Sequence, residues 1–117
     1  MTNYSYNKIN AEQCIYYVIA NVDELPNGKR LFIEVDGHAV VVFNLAGNYY
    51  AIGDVCTHDE GPLGDGCLEG DEIICPRHGA HFDVRTGKAV SLPAVIDTPA
   101  YPVRVVNGQI EIGLPAA

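Results

Sequence analysis

Two short segments carry the residues able to do chemistry: Cys56-Thr57-His58 and, after sixteen intervening residues, Cys75-Pro76-Arg77-His78. Each presents one thiolate and one imidazole, with the cysteine leading. Four soft or borderline donors in two tight pairs are what a metal centre needs, and a closed apolar core rarely uses them. If the two segments run side by side, both cysteines lie at one depth and both histidines further out. That order suits two metals in line, an inner one held by thiolates and an outer one by imidazoles. A 2Fe–2S cluster in which two His replace two Cys on one iron has this donor set. A single structural zinc is the alternative, since Cys₂His₂ is also a zinc set. Zinc fingers, however, usually pair Cys with Cys and His with His, whereas each pair here is mixed.

The flanking residues sharpen the reading. Gly61-Pro62-Leu63 follows the first pair, Gly79-Ala80-His81-Phe82-Asp83 follows the second, and Thr86-Gly87 and Leu92-Pro93 come later. From about Val22 to Ile112 the chain thereby resembles the Rieske family of iron–sulfur proteins. The resemblance implies that Cys56 and Cys75 bind the inner iron while His58 and His78 bind the outer, exposed one. It implies that Pro62-Leu63 and Leu92-Pro93 cover the cluster. Family members of high potential, those of respiratory cytochrome bc complexes, carry one further cysteine in each ligand loop, joined as a disulfide. The equivalent positions here are Gly61 and Arg77. Those members also place a serine and a tyrosine hydroxyl near the sulfurs, where this chain has Ala80 and Phe82. Hydrogen bonds to sulfur stabilise the extra electron, so their absence places the potential at the low end of roughly −150 to +300 mV. The pattern is instead similar to soluble Rieske-type ferredoxins of bacterial oxygenase systems.

The elements that must position these loops read as all-β. Asp36-Gly37 separates strands over 31–35 and 38–43, and Ala46-Gly47-Asn48 separates the latter from 49–52. Asn107-Gly108 separates 103–106 from 109–112. Asn-Gly and Asp-Gly tolerate the positive φ of tight two-residue hairpins. An N-terminal strand is expected over 14–20, a single helical turn over 22–25, and no longer helix. The expectation is one Rieske domain over 1–117, with antiparallel sheets in a sandwich or incomplete barrel. Between about 53 and 83 the regular strand pattern nearly vanishes and glycines multiply, which reads as an inserted cluster-binding lobe. Within it, 72–74 is a short strand delivering Cys75 and 81–84 a return strand. With little apolar material of its own, the lobe should depend on its metal for order.

Composition bounds the function. The chain has 117 residues, 48% of them hydrophobic and 19% charged, which suits one folded domain. It has no apolar run of membrane-spanning length, no signal-like N-terminus and no twin-arginine pair, so the cytoplasm is expected. Cys14 and Cys67, outside the ligand pairs, read as small, reduced, partly buried hydrophobes. A net charge of −8 argues against nucleic-acid binding. Seven acids, Asp54, Asp59, Glu60, Asp65, Glu69, Asp71 and Glu72, gather around the expected site without one Lys or Arg. They form a solvated surface or an acidic collar that steers a basic partner. Arg77 is expected either to steady a reduced cluster or to pair with Asp59 or Glu60. His81 should face away from Phe82 as a surface residue, His38 should merely end a strand, and Tyr16, Tyr17, Tyr49 and Tyr50 should pack on the sheets.

No Gly-x-Gly-x-x-Gly nucleotide site is present, and beyond the four donors only His38 and His81 remain to build a second site. The expectation is a non-catalytic one-electron carrier with one Rieske-type 2Fe–2S cluster. It would take electrons from a flavoprotein reductase and pass them to a terminal oxygenase. A small subunit fixed to a larger redox enzyme, such as nitrite reductase, is the alternative.

Overall fold

The computed structural model describes residues 9–116, which form ten strands in chain order. These are β1 (Cys14–Asn21), β2 (Arg30–Val35), β3 (His38–Leu45), β4 (Asn48–Gly53), β5 (Cys67–Glu69), β6 (Glu72–Ile74), β7 (His81–Asp83), β8 (Ala100–Tyr101), β9 (Val103–Val106) and β10 (Gln109–Pro115). They assemble into three antiparallel sheets, ordered β1-β10-β9, β2-β3-β4-β8 and β5-β6-β7, not closed into a barrel. Among the described residues there is no α-helix, and only 3₁₀ turns occur, at Ala11–Gln13 and Val22–Glu24. No helix among them is long and apolar enough to cross a membrane.

Turn chemistry sets the registers. Asp36 and Gly37 have φ of 50° and 79°, and Asn107 and Gly108 have 52° and 76°, so both pairs make two-residue hairpins with left-handed backbone. Ala46 also adopts positive φ, 57°, which costs a residue with a Cβ some strain. Two side chains compensate: Asn27 Oδ1 accepts the Ala46 N–H at 2.7 Å and Asn44 Oδ1 the Gly47 N–H at 2.8 Å. Asn44 is itself buried, and its amide donates to Leu25 O at 2.8 Å, so its polarity is satisfied.

β3 is the axis of the molecule because both of its faces are buried. Val40 and Val42 point into a scaffold core with Leu25, Ala51, Tyr101, Ile110, Ile112 and Leu114. Val41 and Phe43 point the other way, into a second core with Leu63, Ile73, Phe82, Val84, Cys56 and Cys75. A continuous apolar run, rather than an alternating one, is what a strand covered on both sides requires.

Several elements differ from the sequence reading. β10 runs three residues beyond 112 because β1 pairs along its whole length, Cys14 lying opposite Pro115. β5 and β8, three and two residues long, are too short to show an alternating pattern. In the lobe the two expected strands are present as β6 and β7, the latter ending at Asp83, and β5 joins them to complete a sheet in which Ile73 lies opposite Phe82. The lobe is not poor in apolar packing, because Leu63, Ile73, Ala80, Phe82, Val84 and Ala94 are buried against β3 and β4. Ala80, Phe82 and Val84 alternate along one strand face, but Leu63, Ile73 and Ala94 are scattered singly, so no period joins them to it.

Candidate metal centre

The two ligand loops share one backbone design. In the first, the Cys56 N–H donates to Gly61 O at 2.8 Å and the Glu60 N–H returns to Cys56 O at 2.6 Å. In the second, the Cys75 N–H donates to Ala80 O at 2.8 Å and the Gly79 N–H returns to Cys75 O at 3.0 Å. The fifth residue of each is left-handed, Glu60 with φ 63° and Gly79 with φ 77°. Each loop is therefore a tight turn that sets its cysteine at the base, with successive N–H groups turned toward the sulfur.

Contacts from the scaffold hold this pair of turns. Asp54 Oδ1 accepts the N–H groups of Leu63 and Gly64 at 3.0 and 2.6 Å. Arg30, on β2, donates to Gly64 O and Gly66 O at 2.5 and 2.7 Å. At Gly66 a Cβ would stand 1.7 Å from Ile74 O, so only glycine lets the 54–66 loop lie on β6. Thr57 Oγ1 donates to Ile96 O, joining the first ligand loop to the 89–98 segment.

Cys56 and Cys75 are buried, at 0% and 1% exposure, and their sulfurs lie within 4.8 Å of each other. Burial pushes the Cys56 thiol up, and Cys75 raises it further. Burial opposes ionisation of Cys75 too, but the N–H groups of Arg77 and His78 and the Cys56 thiol hold it below the ordinary value. His58 and His78 stand outside this pair, exposed, with ring centroids 5.0 Å apart and planes at 90°. The structure thus sets the two cysteines together and buried and the two imidazoles together and exposed, while the 4.8 Å group around the sulfurs takes in Asp59 and neither histidine among the described residues.

Two charged residues join them. Arg77 makes a two-bond fork to Asp59, Nε to Oδ2 at 2.6 Å and Nη2 to Oδ1 at 2.9 Å, and Nη2 also lies 3.4 Å from Cys75 Sγ. The expected pairing of Arg77 with Asp59 is present, and the same guanidinium stands beside a cysteine sulfur. Asp59 is held well below the usual carboxylate range by this hydrogen bond and by the Gly61 N–H. Its carboxylate lies with both cysteine sulfurs inside a 4.8 Å group. No hydroxyl stands where Ala80 and Phe82 were singled out; both are fully buried and apolar, packed in one core with the cysteines.

Other expectations are met or corrected. His81 faces away from buried Phe82 and bonds Glu72 Oε1 at 2.8 Å, a diagonal pair across β6 and β7. Of the residues expected to cover the cluster, Leu63 is buried in the core that holds the cysteines, while Leu92 is 77% exposed and Pro62 exposed; buried Ala94 packs in that core as well. Cys14 is half-buried as expected, whereas Cys67 is exposed because it opens the edge strand β5. The acidic collar is thinner than its composition suggests: Asp54 binds backbone, Asp59 binds Arg77, Glu72 binds His81 and Asp71 lies 3.5 Å from Arg85. His38 opens β3, its ring edge-on to Tyr101. The four tyrosines are half-buried, and Arg104 stacks on Tyr16 at 3.8 Å. Sequence reasoning missed Arg30 and saw Asp54 only as one of the surrounding acids, not as an anchor of backbone; lying on or beside the scaffold strands, they carry no local signal of these contacts.

The chain is similar to known proteins in sequence and in overall fold. Residues 15–102 match the Rieske [2Fe-2S] domain family. The ferredoxin component of the naphthalene 1,2-dioxygenase/salicylate 5-hydroxylase systems of Ralstonia sp is 38% identical over 91 residues, 78% of this chain and 88% of that one. The 3-phenylpropionate/cinnamic acid dioxygenase ferredoxin subunit of Escherichia coli K12 is 41% identical over 97 residues, 82% and 91% of the two chains. Among solved structures, the ferredoxin of carbazole 1,9a-dioxygenase from Nocardioides aromaticivorans IC177 superposes with a TM-score of 0.78 at 36% identity, covering 86% of this chain and 98% of its own. A ferredoxin matched in a complex of reduced oxygenase and oxidized ferredoxin in carbazole 1,9a-dioxygenase gives 0.80 at 28% identity, covering 88% and 96%.

Proposed function

The chain belongs to the Rieske [2Fe-2S] domain family, and on that premise we propose that Cys56, His58, Cys75 and His78 hold the cluster of an electron-carrying ferredoxin that serves an oxygenase. It is an electron carrier and not itself catalytic, as its relatives are ferredoxin components of dioxygenase systems. One Rieske-type 2Fe–2S cluster is its cofactor, supplying reversible uptake of a single electron.

What supports the ligand assignment is the burial order of the four donors: two buried sulfurs within 4.8 Å of each other, two exposed imidazoles with ring centroids 5.0 Å apart. The buried pair sits among Leu63, Ala80 and Phe82, which exclude water from the sulfur side. The backbone N–H groups of Arg77 and His78 favour the thiolate of Cys75, and metal binding requires thiolates. The exposed imidazole edges leave a path on which a partner approaches within contact of the site. Absent hydroxyls at Ala80 and Phe82 favour a potential at the low end of roughly −150 to +300 mV.

A terminal oxygenase is the electron acceptor, in keeping with the ferredoxin–oxygenase complex among the structural relatives. A flavoprotein reductase is the donor, and the cytoplasm is the compartment. The described chain is a single domain whose lobe and scaffold share β3.

A reductive titration of the purified protein tests this reading. It should take up one electron per chain reversibly and run on gel filtration as a small free protein. Uptake of no electron, a midpoint above about +100 mV, or co-migration with a large redox enzyme in extract would contradict it.

A further inference from the structure

We infer that Arg77 and Asp59 form an ionic clasp that locks the two ligand loops together and balances charge beside the cysteine sulfurs. The inference rests on the ligand assignment proposed above.

The shared design of the loops places it. Numbered from each cysteine, the third residue is His58 in one loop and Arg77 in the other, and the fourth is Asp59 in one and His78 in the other. Across the loops, third meets fourth twice: His58 with His78, ring to ring at 5.0 Å, and Arg77 with Asp59 through the fork. The ion pair thus occupies the counterpart of the histidine pair under an approximate two-fold relation. One crossing presents two metal donors, and the other presents opposite charges.

Several contacts set this pair apart from an ordinary surface ion pair. The fork uses two parallel N–H···O bonds, the geometry that gives arginine–carboxylate pairs their direction and strength. Asp59 Oδ1 also takes the Gly61 N–H at 3.0 Å, which fixes the carboxylate to its own loop. The guanidinium lies on Gly61, where a Cβ would stand 2.7 Å from Arg77 Cζ; a larger residue would displace it. Both charges also reach the thiols: Arg77 Nη2 is 3.4 Å from Cys75 Sγ, and the Asp59 carboxylate lies within 4.8 Å of both sulfurs. Each therefore screens the other's field at the sulfurs, and removing either leaves its partner's charge uncompensated there.

The test uses the full chain loaded with iron and sulfide, read by midpoint potential and by the rate at which a chelator strips the iron. Asp59→Asn leaves the arginine's positive charge unbalanced, so the potential should rise. Arg77→Gln leaves the carboxylate unbalanced and removes the N–H toward Cys75 Sγ, so the potential should fall. Both should lose iron about three- to tenfold faster than the parent, because both open the clasp. The double variant should return toward the parent potential while still losing iron quickly, which a merely structural role would not produce. If either single variant fails to accumulate, Arg77→Lys and Asp59→Glu serve instead: charge is kept, so the potential should hold while iron release quickens. Single-variant potentials that move in the same direction or not at all overturn the clasp, as do release rates within about twofold of the parent. A shifted potential in the charge-keeping variants does the same. A parent protein without acid-labile sulfide overturns the ligand assignment and the clasp with it; a loaded parent with indifferent variants overturns the clasp alone.

Discussion

On one face of β3, Val40 and Val42 meet Leu25, Tyr101, Ile110, Ile112 and Leu114; on the other, Val41 and Phe43 meet Leu63, Ile73, Phe82 and the two buried cysteines. The first core is closed by long strands, eight residues in β1 and seven in β10, paired end to end. The second is closed by three strands of three residues each and by turns pinned through individual contacts from Arg30, Asp54 and Arg77. Burial of apolar area stabilises both, at roughly 25 cal/mol per Å². Asn27 and Asn44 pin a turn of the scaffold, but the polar contacts of the lobe fix where the two ligand loops end. A scaffold can tolerate small shifts, whereas donor atoms must be placed to a fraction of an ångström. The difference between the two faces is the difference between holding a shape and holding a position.

The comparison can be broken first at Gly66. Gly66→Ala drives a Cβ into Ile74 O, 1.7 Å away in the present backbone, and should cost more than about 4 kcal/mol locally. Amide exchange should then accelerate in β5, β6 and β7 while β1, β9 and β10 stay protected, and the bound iron should vanish. Equally fast exchange throughout would mean that the two faces unfold as one unit.

Next comes a pair of cavity substitutions. Phe82→Ala should cost about 3–5 kcal/mol and Ile112→Ala about 2–5 kcal/mol, both residues being fully buried. Phe82→Ala should loosen the lobe ahead of the scaffold, whereas Ile112→Ala should lower the unfolding midpoint of the whole molecule. Denaturant melts followed by iron absorbance and by far-ultraviolet circular dichroism separate the two outcomes.

Arg30→Met keeps much of the stem but removes both bonds to the carbonyls of Gly64 and Gly66. It should cost about 1–3 kcal/mol, felt in the lobe, although Arg30 itself belongs to the scaffold strand β2. Iron-release kinetics would register it, and an unchanged rate would show that the 54–66 loop needs no such anchor.

The smallest effect sharpens the likeness between the ligand loops. Glu60 adopts the left-handed backbone that Gly79 adopts in the sister loop, so Glu60→Gly should relieve strain of about 1 kcal/mol. A thermal melt of the loaded protein should shift upward; a downward shift would indicate that the Glu60 side chain stabilises the site in another way.

The hairpins were legible in the sequence, and the proposed donors could be named from it, because their signals are local. Asp36-Gly37 and Asn107-Gly108 name their own turn geometry, and each Cys–His pair lies within four residues. The lobe core was not legible, since Leu63, Phe82 and Ala94 lie far apart and become neighbours only when β3 supplies its second buried face. Arg30 was invisible for the same reason, standing 34 residues before the carbonyl it caps. Exposed Cys67 was misjudged because an apolar side chain at the start of so short a strand carries no period to say which way it points. Arg77 was seen only as two separate possibilities; a fork that also touches a sulfur requires coordinates.

The electron paramagnetic resonance spectrum of the dithionite-reduced protein tests the central claim most directly. Two buried thiolates and two outer imidazoles on a 2Fe–2S cluster should give a signal of low average g with nitrogen couplings, and the couplings should change when His58 or His78 is replaced. A signal of the higher average g of all-thiolate ligation, or a colourless protein that gives none and binds one zinc ion per chain, would contradict it.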